Sequence, residues 1–318
     1  MKAAFPGSIE DTARLAEAGA LVRAGGTDLQ ERIELGRAGG DLVDLRDARG
    51  LDELGWKDGG LRIGAMVRVA AIGSHPDVRR HYPGLAAAAS DLATPQIRNV
   101  GTLGGNLLQK VRCWYFRNAE AQCYKSGGDR CRAREGDHLY HSCFDLGPCV
   151  APHPSTLGLA LLAYDGKVLV HGKAELAIAD LYGDGSDPTA EHTLGPGDLL
   201  TAAVLPPPTA GERASYVRTI ARARGEWPLV EALARVVVTG GRVERAAVAV
   251  GGVANIPLRL RRVEQALAGR DPSSDDLARA ADLAAEGARP LPMTGYKVEL
   301  VVATVLEALE RAAAGGPA

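Results

Sequence analysis

Little in this 318-residue chain is aromatic: three Trp, three Phe and eight Tyr, with only three Met beside them. The core must therefore be built from Ala, Val and Leu rather than from large rings. Hydrophobic residues still reach 46%, enough for a sizeable globular core, and the length fits about two domains. No apolar run approaches the ~18–20 residues that a membrane-spanning helix needs. Charge of one sign is lacking as well. The 37 Lys and Arg against 39 Asp and Glu leave a net charge of −2, which offers no electrostatic handle for nucleic acid. The N-terminus turns acidic and amphipathic, through Glu10 and Asp11, too early for a secretory signal. The chain reads as cytoplasmic, a periplasmic location being open to it only through export with a signal-bearing partner. Neither the Rossmann Gly-x-Gly-x-x-Gly nor the P-loop signature is present, which disfavours a standard NAD fold or an NTPase. Cysteine is missing everywhere except between Cys113 and Cys149.

What is there stands out against these absences. All five cysteines, spaced C-x9-C-x7-C-x11-C-x5-C, occupy about a tenth of the chain. The same window holds Trp114, Tyr115, Phe116, Tyr124, Tyr140 and Phe144, six of the fourteen aromatics. In a reducing compartment such a cluster favours metal or redox chemistry over disulfides. The compact C-x2-C pairs are absent, so spacing alone leaves zinc, an iron–sulfur cluster and free thiols open.

Along the chain, Lys2–Phe5 reads as a strand, Ser8 as the cap of a helix to about Ala18, and Ala20–Arg23 as a buried strand. Short strands are expected at Leu42–Leu45 and Leu61–Ile63, and helices at Val67–Ser74 and Leu85–Leu92. Thr94–Asn99 reads as a loop because Pro95 blocks helix continuation. Leu157–Tyr164 is helix or strand, and Lys167–His171 belongs to a hairpin. Gly195–Asp198 and Pro206–Pro208 mark a domain boundary. Beyond it, strands at Ser215–Ile220 and Ala246–Val253 alternate with helices at Leu258–Ala268, Ser274–Glu286 and Tyr296–Ala312. Only the last residues, Ala312 to Ala318, read as disordered.

Two glycine turns carry chemistry. Gly25-Gly26-Thr27 follows a buried strand, and neither glycine has a Cβ to keep a phosphate from the backbone. Successive N–H groups in such a turn form an anion-binding concavity, to which Thr27 can add a hydroxyl. Gly104-Gly105-Asn106, with Thr102, repeats the arrangement. Each alone is most often a plain turn; together they can hold the two phosphates of one pyrophosphate.

Three stretches carry a resemblance: Arg23-Ala24-Gly25-Gly26-Thr27-Asp28-Leu29, then the run from Thr94 to Leu107, then the run from Gly251 to Glu264. They resemble the FAD-binding subunit of the molybdenum hydroxylases, the family of xanthine dehydrogenase, carbon monoxide dehydrogenase and aldehyde oxidoreductases. The resemblance spans Met1 to about Ala312. It implies an α+β chain: an FAD-binding domain of two α/β subdomains (PCMH-type) over residues 1–203, and a C-terminal α+β domain over 204–318. It also implies that Val22, Arg23, Ala24, Gly25, Gly26, Thr27, Asp28 and Leu29 wrap the FAD pyrophosphate. Thr102, Gly104, Gly105 and Asn106 would bind it from the other side, with Leu92 near one of the rings. Relatives place an acid that contacts FAD where this chain has Thr156, after His153-Pro154-Ser155. Thr156 can hydrogen-bond but carries no charge.

A subset of these subunits carries an inserted 4Fe-4S loop, as in 4-hydroxybenzoyl-CoA reductase and some aldehyde oxidoreductases. The stretches around Cys113, Cys123, Cys131 and Cys149 resemble its ligand motifs, which places the insertion at about 110–150. Cys143 stands where relatives have an apolar residue, and His138 and His141 are expected to be structural or exposed. The implied partners are a large molybdenum–pterin subunit, a small 2Fe-2S subunit and an external electron acceptor. Electron flow would run outward from the partner, or inward as in 4-hydroxybenzoyl-CoA reductase. Two rival readings are a stand-alone flavoprotein reductase and a zinc-stabilised interaction subunit with no redox role.

Overall fold

A computed structural model describes residues 1–315, built on three sheets. The first is small and parallel: β1 (Ala3–Ala4), β2 (Leu21–Arg23) and β3 (Leu42–Asp44), in the order β1-β3-β2. Its Ile9–Glu17 helix starts as expected, with the Ser8 hydroxyl accepting from the Asp11 N–H at 3.1 Å. The second sheet is antiparallel and comprises β4 (Leu54–Lys57), β5 (Gly60–Gly64), β6 (Lys167–Val170), β7 (Leu176–Ala177) and β8 (Leu200–Leu205). Their order is β4-β5-β8-β6-β7. Between β5 and β6 lie the helices and the cysteine segment that build the site. The third sheet, β9 (Glu212–Thr219), β10 (Val230–Thr239), β11 (Arg242–Gly251) and β12 (Leu258–Arg259), is an antiparallel meander backed by the Tyr296–Ala314 helix.

Several expectations change. The Ala20–Arg23 strand is not buried: as edge strand β2 it leaves Val22 exposed and Leu21 and Arg23 half-buried. Pro95 does not prevent a helix; it begins one, Pro95–Val100, with Thr94 as the cap accepting from the Ile97 N–H. At the first helical position proline loses no hydrogen bond and its fixed φ already suits the helix. Leu258–Arg259 is a strand, not the start of a helix, which runs Arg261–Leu267. The terminal helix continues to Ala314, so Ala312–Ala314 are helical; residues 316–318 lie outside the described part. The ten-residue β10 gave no period-two signal because its first eight residues are all buried.

The helix Thr156–Ala163 is buried along its whole length, which is why its apolar residues show no sidedness. It joins the domains. Arg235 of β10 donates to its Ala163 carbonyl at 2.6 Å, and Arg259 of β12 to its Leu162 carbonyl at 2.7 Å. Both cations sit at the negative end of the helix. Arg235 also pairs with buried Glu212 at 2.5 Å and lies 4.2 Å over the Tyr164 ring. Arg235→Met therefore strands a buried carboxylate and costs about 3 kcal/mol of stability. Urea unfolding of the full chain measures this, and a loss under about 1 kcal/mol would contradict it.

Candidate cofactor cleft and cysteine segment

The first glycine turn leaves β2 with Gly26 at φ +75°, a left-handed conformation that suits glycine. Gly25 is held tighter: a Cβ there would lie 2.2 Å from the Val100 carbonyl oxygen. The two turns are thus packed backbone against backbone. The second turn is fixed from behind. The Gly104 N–H donates to the Ala65 carbonyl at 2.8 Å, and Leu103 N–H to that of Val67 at 2.9 Å. Here the expected open turn is a short helix, Leu103–Leu107, whose cap is Thr102, accepting from the Gly105 N–H at 3.2 Å.

Between the turns opens a cleft of about 290 Å³. Of the residues expected at the cofactor, Thr27, Asp28, Leu92, Thr102, Gly105, Asn106 and Thr156 line it. Gly25, Gly26 and Ala24 shape the turn from outside that lining, and Gly104 is buried against Ala65. Val22 is exposed, Arg23 pairs with Asp44 at 3.2 Å, and Leu29 is a core residue. Both hydrogen bonds to the Asn106 side chain, from Ser155 Oγ at 2.9 Å and Leu157 N at 3.1 Å, engage Oδ1. Its NH₂ end is left as a donor.

The loop 221–229 of the C-terminal domain closes the cleft and was not foreseen. Gly225, Glu226, Trp227 and Pro228 line it together with Arg218, which donates to the Asp91 and Glu226 carbonyls. Trp227 lies under Arg112, 4.6 Å from the guanidinium carbon to the ring centre. A tryptophan in so ring-poor a chain, set in an Arg/Gly-rich loop, was the available signal. The same loop residues also border a second cavity of about 470 Å³ reaching Trp114, His141 and Glu231. Together the two spaces suit a dinucleotide; a Cβ on Gly25 would meet the Val100 carbonyl and one on Gly105 the Thr102 hydroxyl, so glycine there lets the walls of the cleft pack closely.

Thr156 has its hydroxyl committed: it donates to Glu231 Oε2 at 2.8 Å, as does the Tyr216 hydroxyl at 2.6 Å. A carboxyl does stand at this point, but on β10. Burial pushes the Glu231 carboxyl up, and the hydrogen bonds from Tyr216 and Thr156 only partly oppose this. Thr156→Asp would bring a second carboxyl into the same buried space and destabilise the fold by about 2 kcal/mol near neutrality. A carboxyl whose folded pKa is raised binds a proton that the unfolded chain has already released. Stability of the variant must therefore fall as pH rises above the ordinary carboxylate range, and urea midpoints from acid to neutral pH test it.

The cysteine segment resolves into four and one. Cys113, Cys123, Cys131 and Cys149 line a single small space of about 10 Å³ under Tyr115, Phe116 and Tyr124. The Cys131 thiol is held low by its hydrogen bond from Cys149, whose own thiol is correspondingly raised. Cys143 lies elsewhere, fully buried in the core of the C-terminal domain, its N–H donating to the Val253 carbonyl at 2.9 Å. His141 Nε2 is 3.2 Å from Cys113 Sγ, and burial lowers its pKa to about 4, so the ring is neutral. His138 is structural: its Nδ1 lies 2.9 Å from the Ala133 carbonyl, and its Nε2 accepts from the Met293 N–H at 3.2 Å. Most of the basic residues are committed as well. Lys110 and Lys125 meet buried Glu191 at 2.5 and 3.3 Å, and Arg134 forks onto Asp145 at 2.5 and 3.0 Å. Among the described residues no three His, Cys, Asp or Glu side chains are gathered as a single metal ion would need. A cube takes one thiolate on each of four irons, and the four cysteines lining this space equal that number of donors.

Paired glycine turns facing across a cleft, closed by a loop from an α+β domain, define a dinucleotide-binding protein outside the Rossmann class. Residues 1–208 match the family model described as the FAD binding domain in molybdopterin dehydrogenase. Residues 215–312 match that of the CO dehydrogenase flavoprotein C-terminal domain. The chain belongs to the FAD-binding subunits of the molybdenum hydroxylase and xanthine dehydrogenase family, flavoprotein components of molybdenum-dependent oxidoreductases. It is 37% identical over 259 residues to the aldehyde oxidoreductase FAD-binding subunit PaoB of Escherichia coli K12, covering 78% of this chain and 79% of the relative. The 6-hydroxypseudooxynicotine dehydrogenase complex subunit alpha of Paenarthrobacter nicotinovorans is 26% identical over 283 residues, 85% of this chain and 80% of that one. Among solved structures, a chain of the Cu,Mo-CO dehydrogenase superposes with a TM-score of 0.79 over 99% of this chain and 98% of that one. At 23% identity it speaks to the fold alone.

Proposed function

We propose that this chain is the FAD- and 4Fe-4S-carrying electron-transfer subunit of a molybdenum hydroxylase acting on aldehydes. It would pass electrons between 2Fe-2S clusters of a small partner subunit and an external acceptor. A large molybdenum–pterin subunit would hold the substrate. The carrying observation for the cluster is the sorting of the cysteines: the four named by the motif resemblance surround one space, and the fifth is buried in another domain. Support for an aldehyde rests on the likeness to PaoB over most of both chains.

When bound, FAD supplies a centre that exchanges one or two electrons. The protein's part would be to hold it: backbone N–H groups and Thr27 of the first turn on one side, the side-chain NH₂ of Asn106 on the other. Four reduced thiols suit a chain kept in a reducing compartment such as the cytoplasm. Purification with its partners tests the reading directly. Flavin absorption with a broad iron–sulfur shoulder, and about four irons per chain beyond those of the partner, are expected. A flavin-free chain, or one equivalent of zinc in place of iron, overturns it.

A further inference from the structure

Asp28 stands at the exit of the first glycine turn and lines the cleft, yet its carboxylate is turned toward the cysteine segment. Oδ1 accepts from Arg117 Nη2 at 2.6 Å and lies 3.1 Å from Arg112 Nη2. Oδ2 accepts from Arg32 Nε at 3.0 Å and from the Lys110 N–H at 3.3 Å. Glu31 takes the remaining forks, 3.1 Å from Arg117 Nη1 and 2.8 Å from Arg112 Nη1. Burial alone would push the Asp28 carboxyl up, but Arg112 and Arg117 overcome it and hold the group below its usual range.

Arg117 is the fixed member of this cluster. Its side chain is only 9% exposed, and its Nε and Nη2 also donate to the carbonyls of Val111 and Lys110. It closes the short helix Trp114–Arg117, which starts directly after Cys113. The cysteine segment therefore delivers two of the three cations, Arg112 and Arg117, that surround a carboxylate at the wall of an anion-binding cleft. Without Arg117, Asp28 keeps Arg112 and Arg32 but loses its shortest and most buried ion pair, and its charge at the cleft wall is less fully screened from an incoming pyrophosphate.

We infer that Arg117 is a positioning residue for FAD: it screens Asp28, and so makes FAD retention depend on an ordered cysteine segment. This rests on reading the cleft as the FAD site and is independent of which metal the cysteines hold. The test is FAD titration of the flavin-depleted full chain, followed by flavin fluorescence. Arg117→Met is expected to weaken binding by about tenfold or more, on the scale of a lost charge-assisted hydrogen bond. Adding Asp28→Asn to it should restore affinity to within about threefold of the parent, because the repelling charge is gone. A merely structural role would not be rescued in this way. Unchanged affinity in R117M, or a loss that D28N does not reverse, overturns the proposal. A parent chain that binds no FAD would instead overturn the reading of the cleft. Should R117M fail to fold, R117K takes its place: it keeps a charge but loses the fork spanning Asp28 and Glu31. A several-fold loss reversed by D28N is then expected, and unchanged affinity counts against the proposal.

Discussion

Gly25→Ala lowers FAD affinity by about a hundredfold, roughly 3 kcal/mol, and strips most of the flavin from the purified chain. The reason is geometric. The new Cβ would sit 2.2 Å from the Val100 carbonyl oxygen and 2.9 Å from its carbon, both backbone atoms that cannot rotate aside. The two glycine turns must then part, and with them the two sides of the anion cradle. Gly39→Ala is the matched control, because a Cβ there meets nothing within 4 Å. Flavin-to-protein absorbance ratios and FAD titrations of both variants decide the matter. Equal affinities would mean that the turns do not act as one cradle.

The second large effect follows from the proposed 4Fe-4S cluster. On that reading Cys113→Ser, Cys123→Ser, Cys131→Ser and Cys149→Ser should each remove most of the chain's iron, since a cube missing one of four thiolates is poorly held. Cys143→Ala should keep the full iron content. Its only expected cost is the loss of a small buried apolar group from the C-terminal core, about 1 kcal/mol. Metal analysis beside chemical unfolding separates the two effects. If Cys143→Ala loses iron in step with the others, the four-and-one division is wrong, however well the chain folds.

Much of the architecture was legible because local chemistry specified it. Ser8 caps the helix that follows it, and Gly25-Gly26 at the end of a short strand makes a tight turn. The missed elements share a cause. In β10 and in the Thr156–Ala163 helix nearly every side chain is buried, so no alternation of polar and apolar residues could show which was strand and which helix. Pro95 misled because its effect depends on position: it breaks a helix from inside and starts one at the first turn.

The site divides along the same line. Composition and motif determined the family and the pair of glycine turns, and named the candidate cofactor and four candidate ligand cysteines. These reside in short contiguous stretches, where neighbours in sequence are neighbours in space. Tertiary structure alone decided which partner each polar group met. It set Gly25 against Val100, gave the Thr156 hydroxyl to Glu231, and brought the loop 221–229 over the cleft. It also turned Asp28 toward Arg117 of the cysteine segment. Those pairs are separated by 75 or more residues of chain, so no local pattern could encode them. Only the packing of three sheets brings them within reach of a hydrogen bond or a hard contact.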